Sequence, residues 1–484
     1  MPQCSQRNIS MCMDLYELTM ANGYYADRDC SEQVVFDVFY RKNPDKGGFA
    51  VFAGLEQVVE YIENLHFDEE EIEYLRSLGL YSEAFLTYLK NYRFTGSVDA
   101  VPEGTIVYPH EPLVTITAPL IDAQLVETAI LTEINHQSLI ATKARRIVRA
   151  AKGRSVSDFG ARRAHNVDAA VYGARAAYIG GAANTATVLA GKMFNIPVSG
   201  TMAHSWVMYY DSEYEAFAQF CRIYPDNAVL LVDTYDVVRS GVPNAIQAAK
   251  EVLEPMGKRL KGVRLDSGDL AYLSQKVRLM LDEAGLTDCI IVASNSLDEY
   301  TIGSILRQGG QIDAFGVGER LITAKSDPVF GGVYKIAGVI KNGVCEPRIK
   351  VSESVEKITN PGKKKLYRIY NEAGNAIADL ITLATEAPPN VKAPYRYVDP
   401  RKPWKTMYYE NCTARELQVP VIRDGKRVGT LPTLDEIRDY VTHQLDFEIW
   451  PEEQRFSNPH VHYLDMSPAY YEMKMDLLDA MDKH

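Results

Sequence analysis

The sequence predicts an α/β fold, an irregular seven-stranded barrel of parallel strands accompanied by a smaller β-rich domain drawn from both flanks. Three observations carry this expectation. From about residue 154 short apolar runs alternate with helical stretches, which implies a parallel sheet with right-handed crossovers. The runs number seven, enough to suggest closure into a barrel. On either side the pattern changes, to strands mixed with acidic helices before it and to hairpin signals after it.

In chain order, residues 34–118 combine strand-like VVFDVFY, GSVDAV and PLVTIT with the acidic helical segment FDEEEIEYL, and a long helical pattern follows over about 121–151. We assign 1–150 to the N-terminal, mixed α/β part of the smaller domain. The seven runs are RSVSDF (154–159), YIGG (178–181), IPVSGT (196–201), AVLLVDT (228–234), GVRLDS (262–267), CIIVAS (289–294) and IDAFGV (312–317). Between them Ile246, Ala249, Val252 and Leu253 share one helical face. Leu270, Leu273, Val277, Met280 and Ala284 share another, at steps of three and four. These units define a catalytic barrel over 151–330. Beyond it, KNG (341–343), NEAGN (371–375) and RDGK (423–426) are hairpin turns, with strand-like LYRIY between the first two. Residues 331–400 are therefore a β-rich return to the smaller domain, and 401–484 a C-terminal segment.

Composition limits the function. Lys and Arg total 52 against 64 Asp and Glu, a formal charge of −12, which argues against nucleic-acid and anionic-membrane partners. An anionic ligand must then be held by a local pocket. The seven cysteines form no zinc-like spacing and are expected to be reduced thiols in a cytoplasmic protein. Neither a signal-peptide pattern nor an apolar run approaching the ~18 residues of a membrane span is present. HVH (460–462) would need a third ligand to hold a metal, and none lies nearby in sequence.

In a barrel the site lies at the C-terminal ends of the strands, and the tips of the seven runs are rich in chemistry. They carry Asp158, Phe159 and Arg162, then Gly181 and Asn184, Thr201 and His204, Asp233 and Asp236, Arg264, Asp266 and Asp269, Ser294 and Asn295, and finally Gly316, Gly318 and Glu319. Any one could be a helix cap, since such residues are favoured at helix starts. Two arginines, several acids, an aromatic ring and a histidine at one rim are more than capping requires. Gly316 to Gly318 allow close backbone approach to a phosphate. Asp233, Asp266 and Asp269 suit a ribose diol or a Mg²⁺ ion bridging phosphates. Phe159 offers a stacking face, and Arg264 can grip a carboxylate or phosphate bidentately. A sugar phosphate, a metal and an aromatic acid fit this set. His204, alone in GTMAHSWVM, would ordinarily be structural.

No GxxxxGK[ST] or helix-opening GxGxxG occurs, which excludes a P-loop and a dinucleotide fold. VLLVDTYD also lacks the adjacent acidic pair of the purine-salvage phosphoribosyltransferases. Ten motifs in order do resemble a known family: MDLYELTM (13–20), FYRKNP (39–44), SDFGARRAH (157–165), GGAANTATV (180–188), GTMAHSW (200–206), VDTYD (232–236), GVRLDSGDL (262–270), VASNSLDE (292–299), FGVGERL (315–321) and GGVYK (331–335). They resemble nicotinate phosphoribosyltransferase over most of the chain to about residue 350.

The resemblance implies the type II phosphoribosyltransferase barrel and a cytoplasmic homodimer with shared active sites. It implies ATP-coupled formation of nicotinate mononucleotide and pyrophosphate from nicotinate and phosphoribosyl pyrophosphate, with Mg²⁺, in NAD salvage. Tyr16 should stack on nicotinate from the partner subunit, with Phe159 on the other ring face. Thr201 and Arg264 should contact nicotinate, with Arg162 and Asn184 beside it and neutral Asn184 favouring the acid over the amide. Asp233, Asp266, Gly268, Gly316, Gly318 and Glu319 should border the phosphoribosyl group, and Arg41 should reach phosphate across the dimer. Some relatives carry Thr in place of Glu319, so its contact is expected from the backbone. His204 should be phosphorylated by ATP, with Asp266 and Arg264 as its catalytic company. Mg²⁺ should be held mainly by phosphates, with help from Asp266 or Asp269. The alternatives are a nicotinamide phosphoribosyltransferase and a non-catalytic nucleotide sensor on the same fold.

Overall fold

The computed structural model describes residues 7–354, 357–392, 394–398, 404 and 406–481. The chain divides into two compact units, Ile140–Pro328 and a unit formed by Met1–Leu139 together with Val329–His484.

The Ile140–Pro328 unit is built on a six-stranded parallel sheet. Its strands stand in the order Asn184–Thr185, Ser155–Asp158, Ala314–Val317, Ile290–Ala293, Gly262–Leu265 and Val229–Leu231. Val156, Leu230, Leu231, Val263, Leu265, Ile291, Phe315 and Val317 are buried. Such near-continuous apolar runs are the mark of strands covered on both faces. The intervening helices start at side chains that satisfy their orphan N–H groups. Asn166 Oδ1 accepts from Ala169 N at 2.8 Å, Ser212 Oγ from Glu215 N at 3.1 Å, and Asp298 Oδ1 from Thr301 N at 2.7 Å. Along Leu270–Glu283 the buried face is Leu270, Ala271, Ser274, Val277 and Leu281, rotated slightly from the expected stripe, so that Leu273 and Met280 are only half-buried.

The expectation of seven strands is corrected here. YIGG is not a strand: Tyr178 and Ile179 end the helix Val167–Ile179, and the chain joins the sheet only at Asn184. The apolar pair continues the alanine-rich turns before it, and a short apolar run does not by itself distinguish a helix end from a strand. Gly181 then turns the chain at φ +105°, a conformation costly for any residue with a Cβ. IPVSGT contributes one isolated parallel bridge, Thr185 with Val198, supported by Thr185 N donating to Pro197 O and Ser199 N to Thr185 O. Asn184–Thr185 and Val229–Leu231 are the edges of the ladder, so among the described residues the hydrogen bonds form an open sheet.

The other unit holds a seven-stranded antiparallel sheet in the order Val344–Pro347, Gly332–Lys341, Gln33–Tyr40, Val114–Pro119, Ser97–Ala100, Val419–Arg423 and Lys426–Arg427. A second sheet places Thr413–Glu416, Lys364–Tyr370, Ala376–Leu383 and Leu464–Met466 side by side. The turns at KNG, NEAGN and RDGK are hairpins; Asn342, Gly343, Asp424 and Gly425 take the positive φ that tight turns demand. The flanks were expected to form the smaller domain, yet they form the larger unit, and residues beyond 401 add strands to both of its sheets instead of standing apart.

This second unit buries an ionic network. Arg368 donates to both carboxylate oxygens of Asp379 at 2.8 and 2.7 Å, with neither side chain exposed. His462 of the HVH motif stacks on Tyr108 at 3.8 Å with its Nδ1 3.0 Å from Glu453. That histidine is thus a core residue with carboxylate partners. No group of His, Cys, Asp or Glu suited to a metal occurs among the described residues, and no helix among them is long and apolar enough to cross a membrane.

Candidate active site

At the C-terminal ends of the parallel strands lies a cavity of about 530 Å³, lined by Phe159, Arg162, Thr201, His204, Arg264 and Asp266 with apolar walls from Val188, Val198 and Met202. Six of the expected site residues therefore share one space. Phe159 follows the Ser155–Asp158 strand and is pinned by its N–H donating to Val317 O at 2.8 Å. Asp158 itself is buried, accepting from Thr185 Oγ1 at 2.7 Å and Gly160 N at 2.8 Å, so it shapes the tip from behind.

Arg264 leaves its strand toward the cavity and donates to Met202 O at 3.1 Å, while its Nε is buried without a partner. Burial holds the guanidinium below its ordinary pKa; Asp266 and Asp233 act in the opposite direction, and the nearby charge of Arg162 adds to the depression. A cation kept in such surroundings, with a donor to spare, is poised for an anion. Thr201 Oγ1 makes only a long bond to Met202 O, at 3.3 Å.

His204 starts the short helix His204–Tyr209, and its ring makes one hydrogen bond and faces two carboxylates. Nδ1 lies 3.1 Å from Thr234 Oγ1, whereas Nε2 faces Asp233 Oδ1 at 4.0 Å and Asp266 Oδ2 at 3.9 Å. Each carboxylate is anchored through its other oxygen. Asp233 Oδ2 accepts from Asp266 N at 2.9 Å and Ser267 Oγ at 2.7 Å, and Asp266 Oδ1 accepts from Ser294 Oγ. Asp233 Oδ1 is buried and has no hydrogen-bond partner. Ser294 stands among the expected strand-tip residues, but Thr234 does not: a hydroxyl beside an acid at a strand end carries no spacing signal.

The remaining expected residues divide. Asn184 sits in the edge strand opposite Ser157, its Oδ1 buried without a partner, and the helix at Val188 is preceded by Thr187, so capping does not explain Asn184. Gly268 turns the chain at φ +77° directly before Asp269. Asp269 is a helix cap, accepting from Tyr272 N at 3.1 Å; this reduces its availability to a metal. A Cβ on Gly316 would overlap the Phe159 ring, and one on Gly318 would lie 3.2 Å from Phe159 O, so these glycines make room for Phe159 as well as for any phosphate. Glu319 turns its carboxylate to Lys325 at 2.7 Å, and that ammonium lowers its pKa. Tyr16 and Arg41 belong to the other unit. Tyr16 is 43% exposed on the helix Leu15–Asp27, its hydroxyl pKa raised by burial and by the neighbouring Glu127. Arg41 follows the Gln33–Tyr40 strand, with its Nε buried and unpartnered.

Comparison with known proteins covers nearly the whole chain. The model of the nicotinate phosphoribosyltransferase family matches residues 154–361, and those of its N-terminal and C-terminal domains match 11–135 and 363–474. The nicotinate phosphoribosyltransferase of Bacillus subtilis (strain 168) is 43% identical over 471 residues, covering 97% of this chain and 95% of that protein. The Homo sapiens nicotinate phosphoribosyltransferase is 30% identical over 508 residues, 92% of each chain. Among solved structures, human nicotinic acid phosphoribosyltransferase superimposes with a TM-score of 0.86 at 27% identity, over 96% of this chain and 99% of that one. Nicotinate-nucleotide pyrophosphorylase from Pyrococcus furiosus gives 0.69 at 26% identity, over 92% and 98%.

Proposed function

The chain belongs to the nicotinate phosphoribosyltransferase family, and on that premise we propose that it joins nicotinate to phosphoribosyl pyrophosphate, in NAD biosynthesis, with the transfer driven by ATP through phosphorylation of His204. The observation that carries this reading is the single cavity shared by Phe159, Arg162, Arg264, Asp266 and His204. An aromatic acid fits it: the nicotinate ring lies on Phe159, and its carboxylate takes the free donor of Arg264. The pyridine nitrogen attacks C1 of the ribose as the bond from C1 to the pyrophosphate oxygen breaks, and pyrophosphate departs with the electron pair. Most of the catalysis is positioning and stabilisation of charge.

The donor set accommodates Mg²⁺ only in part. No three-residue cluster is available among the described residues, and Asp269 already caps a helix, so Asp266 Oδ2 and the unpartnered Asp233 Oδ1 are the oxygens that would hold an ion brought in on the phosphates. Bound there, Mg²⁺ supplies neutralisation of the departing pyrophosphate. In the same reading Tyr16 and Arg41 serve the cavity of a second subunit in a homodimer. The Thr185–Val198 bridge supports a seventh position beside the six strands, from which a barrel of the family's kind would close. A nicotinamide substrate or a non-catalytic sensor is not favoured, since the relatives are named as enzymes of nicotinate.

The test is pyrophosphate release from nicotinate and phosphoribosyl pyrophosphate, with and without ATP, in the wild type and in His204→Ala. Loss of ATP stimulation and of ATP hydrolysis in the variant, with slow uncoupled transfer persisting, is the expected result. ATP hydrolysis that still keeps step with product in the variant would remove His204 from the mechanism.

A further inference from the structure

Resting on the reading of His204 as the phosphoryl acceptor, we propose that Thr234 is a positioning residue that decides which ring nitrogen reacts. Its Oγ1, 3.1 Å from Nδ1, is the ring's hydrogen-bond partner. The two carboxylate oxygens at Nε2 stand at 4.0 and 3.9 Å, beyond hydrogen-bond reach. They cannot swing closer without giving up the bonds from Asp266 N, Ser267 and Ser294 that hold their other oxygens. A neutral imidazole carries one proton, and the nitrogen that keeps it is set by the bond the ring makes. Here that bond is to Thr234, whose hydroxyl can accept or donate; we take Nδ1–H as the donor to Oγ1, which leaves the lone pair on Nε2, the nitrogen that faces Asp233 and Asp266. The side chain of His204 is 42% exposed, so a phosphate ester can reach that nitrogen.

The step balances as follows. The Nε2 lone pair forms the bond to the γ-phosphorus of ATP, the bond from that phosphorus to the bridging oxygen breaks, and ADP leaves with its electron pair. Nδ1 keeps its proton throughout. The resulting cationic ring is steadied by its hydrogen bond to Oγ1 and by two fixed carboxylates nearby. Without the hydroxyl, both tautomers become available, and Nδ1 becomes a competing nucleophile.

The test uses the full chain with ¹⁵N-labelled histidine as wild type, Thr234→Val, Thr234→Ser and His204→Ala, each incubated with ATP and Mg²⁺. Phosphorus and ¹H–¹⁵N correlation spectra identify the ring nitrogen that carries phosphate, and ADP formed per nicotinate mononucleotide measures coupling. Wild type and Thr234→Ser are expected to carry phosphate on Nε2 alone. Thr234→Val, nearly isosteric and checked for native thermal unfolding, is expected to be phosphorylated roughly tenfold more slowly, the scale of one lost hydrogen bond. It should also divide the phosphate between the two nitrogens and waste ATP. Wild-type rate with phosphate confined to Nε2 in Thr234→Val overturns the proposal, as does phosphate on Nδ1 in the wild type. Phosphate that persists in His204→Ala and is absent from His204 in the wild type overturns the phosphohistidine reading itself.

Discussion

Gly316 lies directly beneath the ring of Phe159, so closely that a Cβ on Gly316 would overlap the ring atoms Cδ2 and Cε2. The glycine is there for space, because its strand Ala314–Val317 is ordinary extended backbone. Gly316→Ala should therefore push the ring into the cavity. We expect a loss of about 1–3 kcal/mol in stability, the usual cost of overpacking, and a KM for nicotinate raised about tenfold with a smaller change in kcat. Denaturant titration and steady-state kinetics check both; an unaltered KM would detach Phe159 from the substrate.

Asn184 governs the choice of acid over amide in our reading. Its Oδ1 is buried without a partner, and it caps no helix. Asn184→Asp would set a carboxylate about 4 Å from that of nicotinate, a repulsion on the order of 4 kcal/mol at an effective dielectric near 20. The folded variant should shift kcat/KM strongly toward nicotinamide, chiefly by losing nicotinate. Competition between the two substrates in one assay measures the ratio, and a wild-type ratio would place selectivity elsewhere.

Asp465 makes stability depend on pH. Its side chain is buried beside Asp379, with Oδ1 unpartnered and Oδ2 accepting only a 3.4 Å bond from Tyr409, and burial followed by the Asp379 charge raises its pKa to about 9. A raised folded pKa means that the folded chain holds a proton the unfolded chain releases. The contribution is complete below the ordinary value near 4 and is lost as pH rises toward 9, with a slope of up to ~1.4 kcal/mol per pH unit in that window. Asp465→Asn should flatten the decline between pH 5 and about 8, seen as a smaller fall in thermal midpoint. Parallel curves for the two proteins would show Asp465 ionised in the fold.

Tyr16 and Arg41 come from one unit and the lining of the cavity from the other. If each site is completed by a second subunit, Tyr16→Ala and Arg264→Ala proteins, inactive alone, should regain activity when mixed under conditions of subunit exchange. Hybrid dimers would then contain one intact site. Exchange shown by tagged subunits, without recovery, would place each site within one chain.

What could be read from the sequence follows from how locally each feature is determined. Strands buried on both faces write themselves as uninterrupted apolar runs, as AVLLVDT and CIIVAS do, and tight turns announce themselves through KNG and RDGK. Tyr178 and Ile179 deceived because an apolar pair before two glycines suits a helix end equally well. At the site, Phe159, Arg264, Asp266 and His204 were visible as unusual side chains at strand tips. Asp269 belongs to local capping. Arg368 and Asp379 face each other across the NEAGN hairpin, but His462 joins them from a position too distant in sequence for any pattern to reveal. Thr234 was hidden for another reason: its importance lies in one hydrogen bond, which only the path of the chain after the strand can create.

The pairing of Ser97–Ala100 with Val419–Arg423 imposes an order on biosynthesis. A ribosome adding about 5–20 residues per second needs roughly 15–60 s to make the stretch between them. Throughout that wait the early strand has an edge with no neighbour, while the intervening Ile140–Pro328 segment, which contains every strand of its own sheet, can finish first. The nascent chain therefore holds one unit with a completed sheet and another still incomplete, and truncation near the 3′ end of the message would leave the second with an open strand edge, the kind of surface that invites aggregation.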